Sequence, residues 1–148
     1  GYNAAYTQAE FTQLDPAVQY YMTGYQFPQV PTWITSLTAD YDWALTGLWR
    51  AHVGGAWRWT GSQWALVVQS RSHDGQETLE LPAYSLVDLN ANISKGPLTL
   101  RTFIRNLSDS HASMHSHPPY VDPTTMIAGW GAYVVQPRTV GVGVDYAF

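Results

Sequence analysis

The last eleven residues, RTVGVGVDYAF (138–148), decide the fold that the rest of the chain supports. From Val140 onward every second residue is apolar, and the positions between are small or polar. Successive side chains of a β-strand point to opposite faces, so this stretch predicts a strand with one apolar and one polar face. The strand closes on two aromatic residues, Tyr146 and Phe148.

The same alternation recurs along the whole chain, and no segment shows convincing helical periodicity. The sequence therefore predicts an all-β fold, an antiparallel up-and-down meander of about six long strands. Their expected ranges are 1–14, 32–43, 48–59, 82–94, 98–107 and the closing strand. We also expect short turns at 44–47 and 95–97, a hairpin extension at 64–72 and 77–81, and a long loop at 108–131.

Composition narrows the class of protein. Of 148 residues, 45% are hydrophobic and only 12% are charged, with seven Trp and ten Tyr. Water-facing surfaces depend on charged residues, and Lys95 is the only lysine, so much of this surface is predicted not to face water. A net charge of −4 argues against a nucleic-acid partner. With no cysteine and no long apolar run, the sequence predicts neither a disulfide framework nor a transmembrane helix.

Aromatic positions favour a membrane barrel over a soluble sandwich. Trp33 and Trp43 lie ten residues apart on one predicted face, as do Trp49 and Trp59, and Trp57 shares that face. Ten residues span about 33 Å, or roughly 23 Å when tilted, close to the ~25 Å apolar band of outer-membrane barrels. Mostly small and aliphatic residues lie between, so we interpret these tryptophans as membrane-interface aromatics.

The opposite face and the loops agree with that interpretation. Charged residues of both signs fall on the polar face, which suits a wet lumen. Connections alternate between very short turns and long loops, as they do at the two rims of a barrel. The polar-face residues are Asp40, Asp42, Arg50, His52, Arg58, Asp88, Arg101, Arg105 and Asp145.

Three segments, LPAYSLVDLNANI (81–93), LTLRTFIRNLSD (98–109) and QPRTVGVGVDYAF (136–148), resemble the C-terminal strands of TonB-dependent outer-membrane receptors. NAAYTQAEF (3–11) and VPTWITSLTADYDW (30–43) resemble the strands that precede them. The order and spacing of the motifs carry the resemblance, which covers nearly the whole chain. One departure is Ser108, where the family usually has Phe.

The resemblance implies a Gram-negative outer-membrane barrel of about 22 strands with a plugged lumen. Residues 1–148 would be its C-terminal portion, without the plug domain. The parent would take up a scarce nutrient such as a ferric siderophore, with no enzymatic activity and no cofactor. Tyr146 and Phe148 would form the signal that the outer-membrane assembly machinery reads. Contact with the TonB complex would occur only through a missing N-terminal part.

Six strands alone would leave two unpaired edges, which cannot face lipid. We therefore expect three kinds of partner: the lipid bilayer, the remaining strands and plug of a parent barrel, or identical copies of the chain. Two alternatives stay open. One is a soluble β-sandwich that binds carbohydrate on Trp57, Trp59 and Trp64, and the other is a small self-associating outer-membrane barrel.

Two groups of residues are candidate ligand contacts. Arg101 and Arg105 share the polar face and would hold an anionic ligand, or would pair with lumen carboxylates such as Asp88 or Asp145. The histidines of SDSHASMHSHPP are the second group. They would bind a metal ion or contact a metal-chelate ligand, or they belong to a flexible polar loop that binds no metal. This group consists of His111, His115 and His117.

Overall fold

The structure, a computed structural model, describes residues 1–13, 23–65, 80–121 and 128–148, with only the backbone at 116–121 and 128–130. The predicted hairpin turn within 66–79 lies outside these ranges. The strands are β1 Tyr2–Tyr6, β2 Trp33–Ala44, β3 Arg50–Thr60, β4 Gln63–Trp64, β5 Glu80–Leu81, β6 Tyr84–Lys95, β7 Leu98–Arg105, β8 Ser113–Val121, β9 Ala128–Val134 and β10 Thr139–Tyr146. In the described ranges, no helix is long and apolar enough to cross a membrane.

Six of these strands form one antiparallel sheet in the order β1-β2-β3-β6-β7-β10. This confirms the predicted all-β meander. Tight turns join β2 to β3 and β6 to β7, and Gly96 adopts a φ of +54° that favours glycine. We call this end of the sheet, with the C-terminus, the short-turn rim, and the opposite end the long-loop rim. The sheet is open, with β1 and β10 as its edge strands.

Two sequence predictions were wrong in extent. The first strand was expected over 1–14, but within the described residues 1–13 it spans Tyr2–Tyr6, because the chain beyond it pairs irregularly with residues 24–32. The expected loop at 108–131 instead includes β8 and the first residues of its antiparallel partner β9, which ends at Val134. Its register shifts twice, between Ser113 and His115 and between His117 and Tyr120. Such irregularities break the period of two by which a strand is recognised in a sequence.

The register places the apolar and polar residues on opposite faces, as predicted. Residues that pair directly across antiparallel strands share a face, so each row across the sheet has one character. One row on the apolar face consists of Trp43, Ala51, Ile93 and Leu100. The adjacent row on the polar face consists of Asp42, His52, Asn92 and Arg101.

The apolar face is uncovered in the described part of the chain. Val142 is 85% exposed and Val144 70%, and the described residues include no large side chain that is fully buried. A soluble sandwich would cover this face with a second sheet. The two small sheets, β4–β5 and β8–β9, instead continue the chain at the long-loop rim.

Aromatic side chains lie at both ends of the apolar face. At the long-loop rim the rings of Tyr6 and Trp33 are 4.9 Å apart between centroids. At the short-turn rim Tyr41 and Trp43 stack with centroids 5.5 Å apart. This distribution resembles the aromatic girdles that flank the apolar band of membrane barrels.

A matched pair of substitutions tests which solvent meets each face. Leu89 and Asn90 are consecutive, exposed residues near the middle of β6 that point to opposite faces. Leu89→Arg is expected to destabilise the bilayer-inserted protein by about 2–4 kcal/mol, whereas Asn90→Arg changes little. Denaturant titration in lipid vesicles measures both. Equal effects at the two positions would contradict the assignment of lipid to the apolar face.

Candidate functional site

The polar face is organised by ion pairs between neighbouring strands. Arg58 Nη2 of β3 lies 2.7 Å from Asp88 Oδ2 of β6, and Arg101 of β7 pairs with Asp145 of β10. All four side chains are partly exposed, so the pairs contribute little stability. Their main effect is to hold the guanidinium groups in place on the polar face.

A histidine pairs with carboxylates nearer the short-turn rim. His52 Nδ1 lies 2.9 Å from Asp42 Oδ1 on the facing strand, and His52 Nε2 lies 3.7 Å from Asp40 Oδ1. Gly54 provides the space beside this group, because a Cβ there would lie 2.6 Å from Asp40 Oδ1. These contacts connect β2 and β3 on the side away from the apolar face.

Arg105, like Arg50 nearer the short-turn rim, differs from the paired cations of this face. Among the residues that the structure describes, it makes no ion pair. Its Cζ lies 5.3 Å from the centroid of the Phe103 ring, a cation–π contact. That ring lies over Gly141 of β10, where a Cβ would come within 2.3 Å of it. Gly141 therefore leaves room for the Phe103 ring, and that ring contacts the exposed guanidinium of Arg105.

A polar pocket of about 350 Å³ opens beside Arg105 at the long-loop end of the polar face. Its lining combines two guanidinium groups with one carboxylate, which leaves a net positive charge. Guanidinium groups bind anionic oxygens through charge-assisted hydrogen bonds. The lining residues are Arg58, Leu86, Asp88, Arg105, Asn106 and Gln136.

Asn106 fixes the floor of this pocket. It is only 4% exposed and adopts a φ of +50°, which Asn tolerates better than most residues. Its Nδ2 donates to the carbonyl oxygens of Ser110 and Gln136 at 2.9 and 2.8 Å, and its Oδ1 accepts from the Ser110 amide. Its backbone N–H donates to Asp88 Oδ1 at 2.9 Å. Asn106 thus connects the end of β7 to β6 through its backbone and to the segment before β10 through its side chain.

Asp109 makes a second connection to that segment. Its Oδ1 accepts a hydrogen bond from the Arg138 backbone N–H at 3.0 Å, and its Oδ2 lies 3.6 Å from Arg138 Nη2. The bond from the Arg138 amide lowers the pKa of the Asp109 carboxyl, and the charges of Arg138 and His111 lower it further. The motifs NLSD (106–109) and QPRT (136–139) therefore meet in one hydrogen-bonded unit, which we call the loop-base tie.

The structure separates the predicted ligand contacts. Arg105 lines the pocket, whereas Arg101 lies nearer the short-turn rim against Asp145. His111 is exposed, and His115 stacks on Tyr133 with ring centroids 5.9 Å apart. The side chain of the third histidine lies outside the described residues, which contain no group of three metal ligands. Ligand binding by Arg101, by Arg105 and by the histidines therefore stays a prediction.

Sequence reasoning placed Arg58 on the polar face but did not identify it as a pocket residue. It also missed Asn106 and Gln136, which lie at strand ends that are far apart in the sequence. One signal in the sequence could have identified these two residues. NLSD and QPRT are both among the motifs that resemble the receptor family, which indicates that both have fixed positions in one fold.

Comparison with known proteins assigns the chain to a family. The sequence model of the family described as TonB dependent receptor-like, beta-barrel, matches residues 1–107. The chain belongs to this family. The family consists of outer-membrane receptors and transporters and is not enzymatic, which supports a receptor-type function for this protein. No curated protein and no solved structure matches the chain significantly.

The loop-base tie can be tested within one turn. Asn106→Ala would leave two carbonyl groups and one amide without their partner, at a cost of roughly 1–3 kcal/mol. Ser108→Ala, at an exposed position of the same turn, is the matched control and should change stability little. Denaturant unfolding and protease cleavage of the loops measure the difference. If both variants unfold alike, Asn106 does not hold the tie.

The tie should also depend on pH. Because the folded-state pKa of Asp109 lies below its ordinary value of 3.8, ionised Asp109 stabilises the fold above that value. This contribution is lost as the pH falls below 3.8 through the lowered pKa. In Asp109→Asn, the protection of the loops against hydrogen exchange should no longer fall as the pH is lowered through this range. Hydrogen exchange at the Arg138 amide measures it, and an unchanged acid profile in the variant would exclude this role of Asp109.

Proposed function

We propose that the chain forms wall and outer loops of a TonB-dependent receptor that imports a scarce nutrient as an anionic chelate, such as a ferric siderophore. The observation that carries the proposal is the positively charged pocket on the polar face, in which Arg105 has no carboxylate partner among the described residues. A ligand with anionic oxygens would supply that partner.

The location of the pocket supports a role in capture. It lies at the long-loop rim, on the face that would line the lumen, so an incoming ligand would meet it before Arg101. Arg58 is already paired with Asp88 and would provide a second, weaker contact. The histidines of the neighbouring segment, His111, His115 and His117, would add contacts from the loops.

The open sheet supports the proposed barrel context. Both edge strands offer unpaired backbone groups. If residues 1–148 are the C-terminal portion of a barrel, the remaining strands of that barrel would pair with these groups. A plug in the lumen would couple the receptor to the TonB complex of a Gram-negative cell. Tyr146 and Phe148 are exposed at the short-turn rim, where the assembly machinery would bind them.

Ligand binding is tested by removing one charge at a time. Arg105→Gln should weaken binding of an anionic ferric chelate at least tenfold, since hydrogen bonds to charged groups contribute about 1.5–3 kcal/mol. Arg50→Gln removes the same charge from the polar face at the short-turn rim and should bind normally. Fluorescence titration of the full chain, incorporated in its membrane, measures the dissociation constants.

A neutral chelate is the control for charge, since its affinity should not change in Arg105→Gln. Equal affinity of the two variants for the anionic chelate would overturn the proposed role of the pocket.

A further inference from the structure

A second cavity lies on the opposite, apolar face near the short-turn rim. This apolar groove encloses about 480 Å³ and crosses β2, β3, β6 and β7. On this face it is lined by the small side chains of Ala51 and Ala91 and by larger apolar ones. The larger ones are Trp43, Val53, Ile93 and Leu100. Such a groove, in which large side chains stand beside small ones on a lipid-facing surface, fits an extended acyl chain.

The row of residues between the groove and the rim carries a positive charge. Lys95, the only lysine of the chain, is the last residue of β6 and shares a face with Ile93, which lines the groove. Its Nζ lies 5.5 Å from the centroid of the Trp49 ring. A cation–π contact of this kind holds the ammonium group at the rim. In this position the methylene groups of the lysine lie along the apolar surface, while the ammonium group reaches the polar headgroup region.

We propose that the groove and Lys95 together bind one anionic phospholipid of the leaflet at the short-turn rim. An acyl chain would lie over Ala51 and Ala91, and the phosphate would accept hydrogen bonds from the Lys95 ammonium beside Trp49. The proposal rests on the proposed placement of the apolar face in a bilayer. It goes beyond that placement because it names one site and one headgroup charge.

Charge complementarity selects this occupant over others. A basic residue near an anionic membrane surface adds attraction that a neutral lipid does not receive. In the described part of the chain, Arg50 and Arg101 are also near this rim, but both lie on the polar face, where Arg101 pairs with Asp145. Lys95 is therefore a cation on the apolar face that lies next to the groove, and the Trp49 ring holds it there.

The experiment compares two lipids that have the same acyl chains, phosphatidylglycerol and phosphatidylcholine. Native mass spectrometry of the full chain in detergent measures how tightly each is retained. The wild-type protein should prefer phosphatidylglycerol. Lys95→Gln should reduce that preference about fivefold, Lys95→Arg should keep it, and Arg50→Gln should leave it unchanged.

Filling the groove provides the independent arm. Ala91→Phe should weaken retention of both lipids, whereas Ala39→Phe, at an exposed position of the same face outside the groove, should not. Heat-dependent migration on a gel shows that each variant is folded. The proposal would be overturned if both lipids were retained equally well, or if a second copy of the chain covered the groove. Either result would leave the placement of the apolar face in a bilayer intact. Failure of the protein to insert into lipid at all would instead overturn the placement.

Discussion

The exposed apolar face is the constraint on which the rest of this structure depends. Side chains such as Val142 and Val144 are largely uncovered by the described part of the protein, so hydrocarbon is the environment that favours them. In hydrocarbon, backbone N–H and C=O groups must be satisfied within the protein, because no water is available to bond them. Side-by-side pairing of long antiparallel strands meets that requirement, and the uninterrupted register across the six-stranded sheet follows from it.

The polar face follows from the same constraint. Because the apolar residues occupy every second position, most charged residues of the sheet lie on the other face, where Arg58 and Arg101 pair with carboxylates of neighbouring strands. At the long-loop rim this pattern ends in the loop-base tie, in which Asn106 and Asp109 bond to the segment before β10. The tie closes the connection between β7 and β10 and places Asn106 beside Arg105. Architecture and candidate site are thus parts of one network.

The period of two made the main sheet predictable from the sequence. Parity alone assigned Trp43 and Val142 to one face and Arg58 and Asp145 to the other, because a strand leaves its side chains no other choice. The β8–β9 pair was missed because its register shifts twice, which interrupts the period of two by which a strand is recognised. The pocket was only half predicted. Arg105 was visible from parity, whereas Asn106 and Gln136 meet through long-range folding that no local pattern encodes.

The most direct test of the central claim is the solvent that surrounds alternate positions of β10. The chain has no cysteine, so single cysteines at 142, 143 and 144 can carry a spin label in the membrane-inserted protein. Position 143 has room for a side chain, since a Cβ there would approach only Arg101, at 4.0 Å. The account predicts that labels at 142 and 144 are relaxed by oxygen, which concentrates in lipid, and that the label at 143 is relaxed by a water-soluble nickel complex. Labels at 142 and 144 that are shielded from both reagents, or relaxed mainly by nickel, would contradict it.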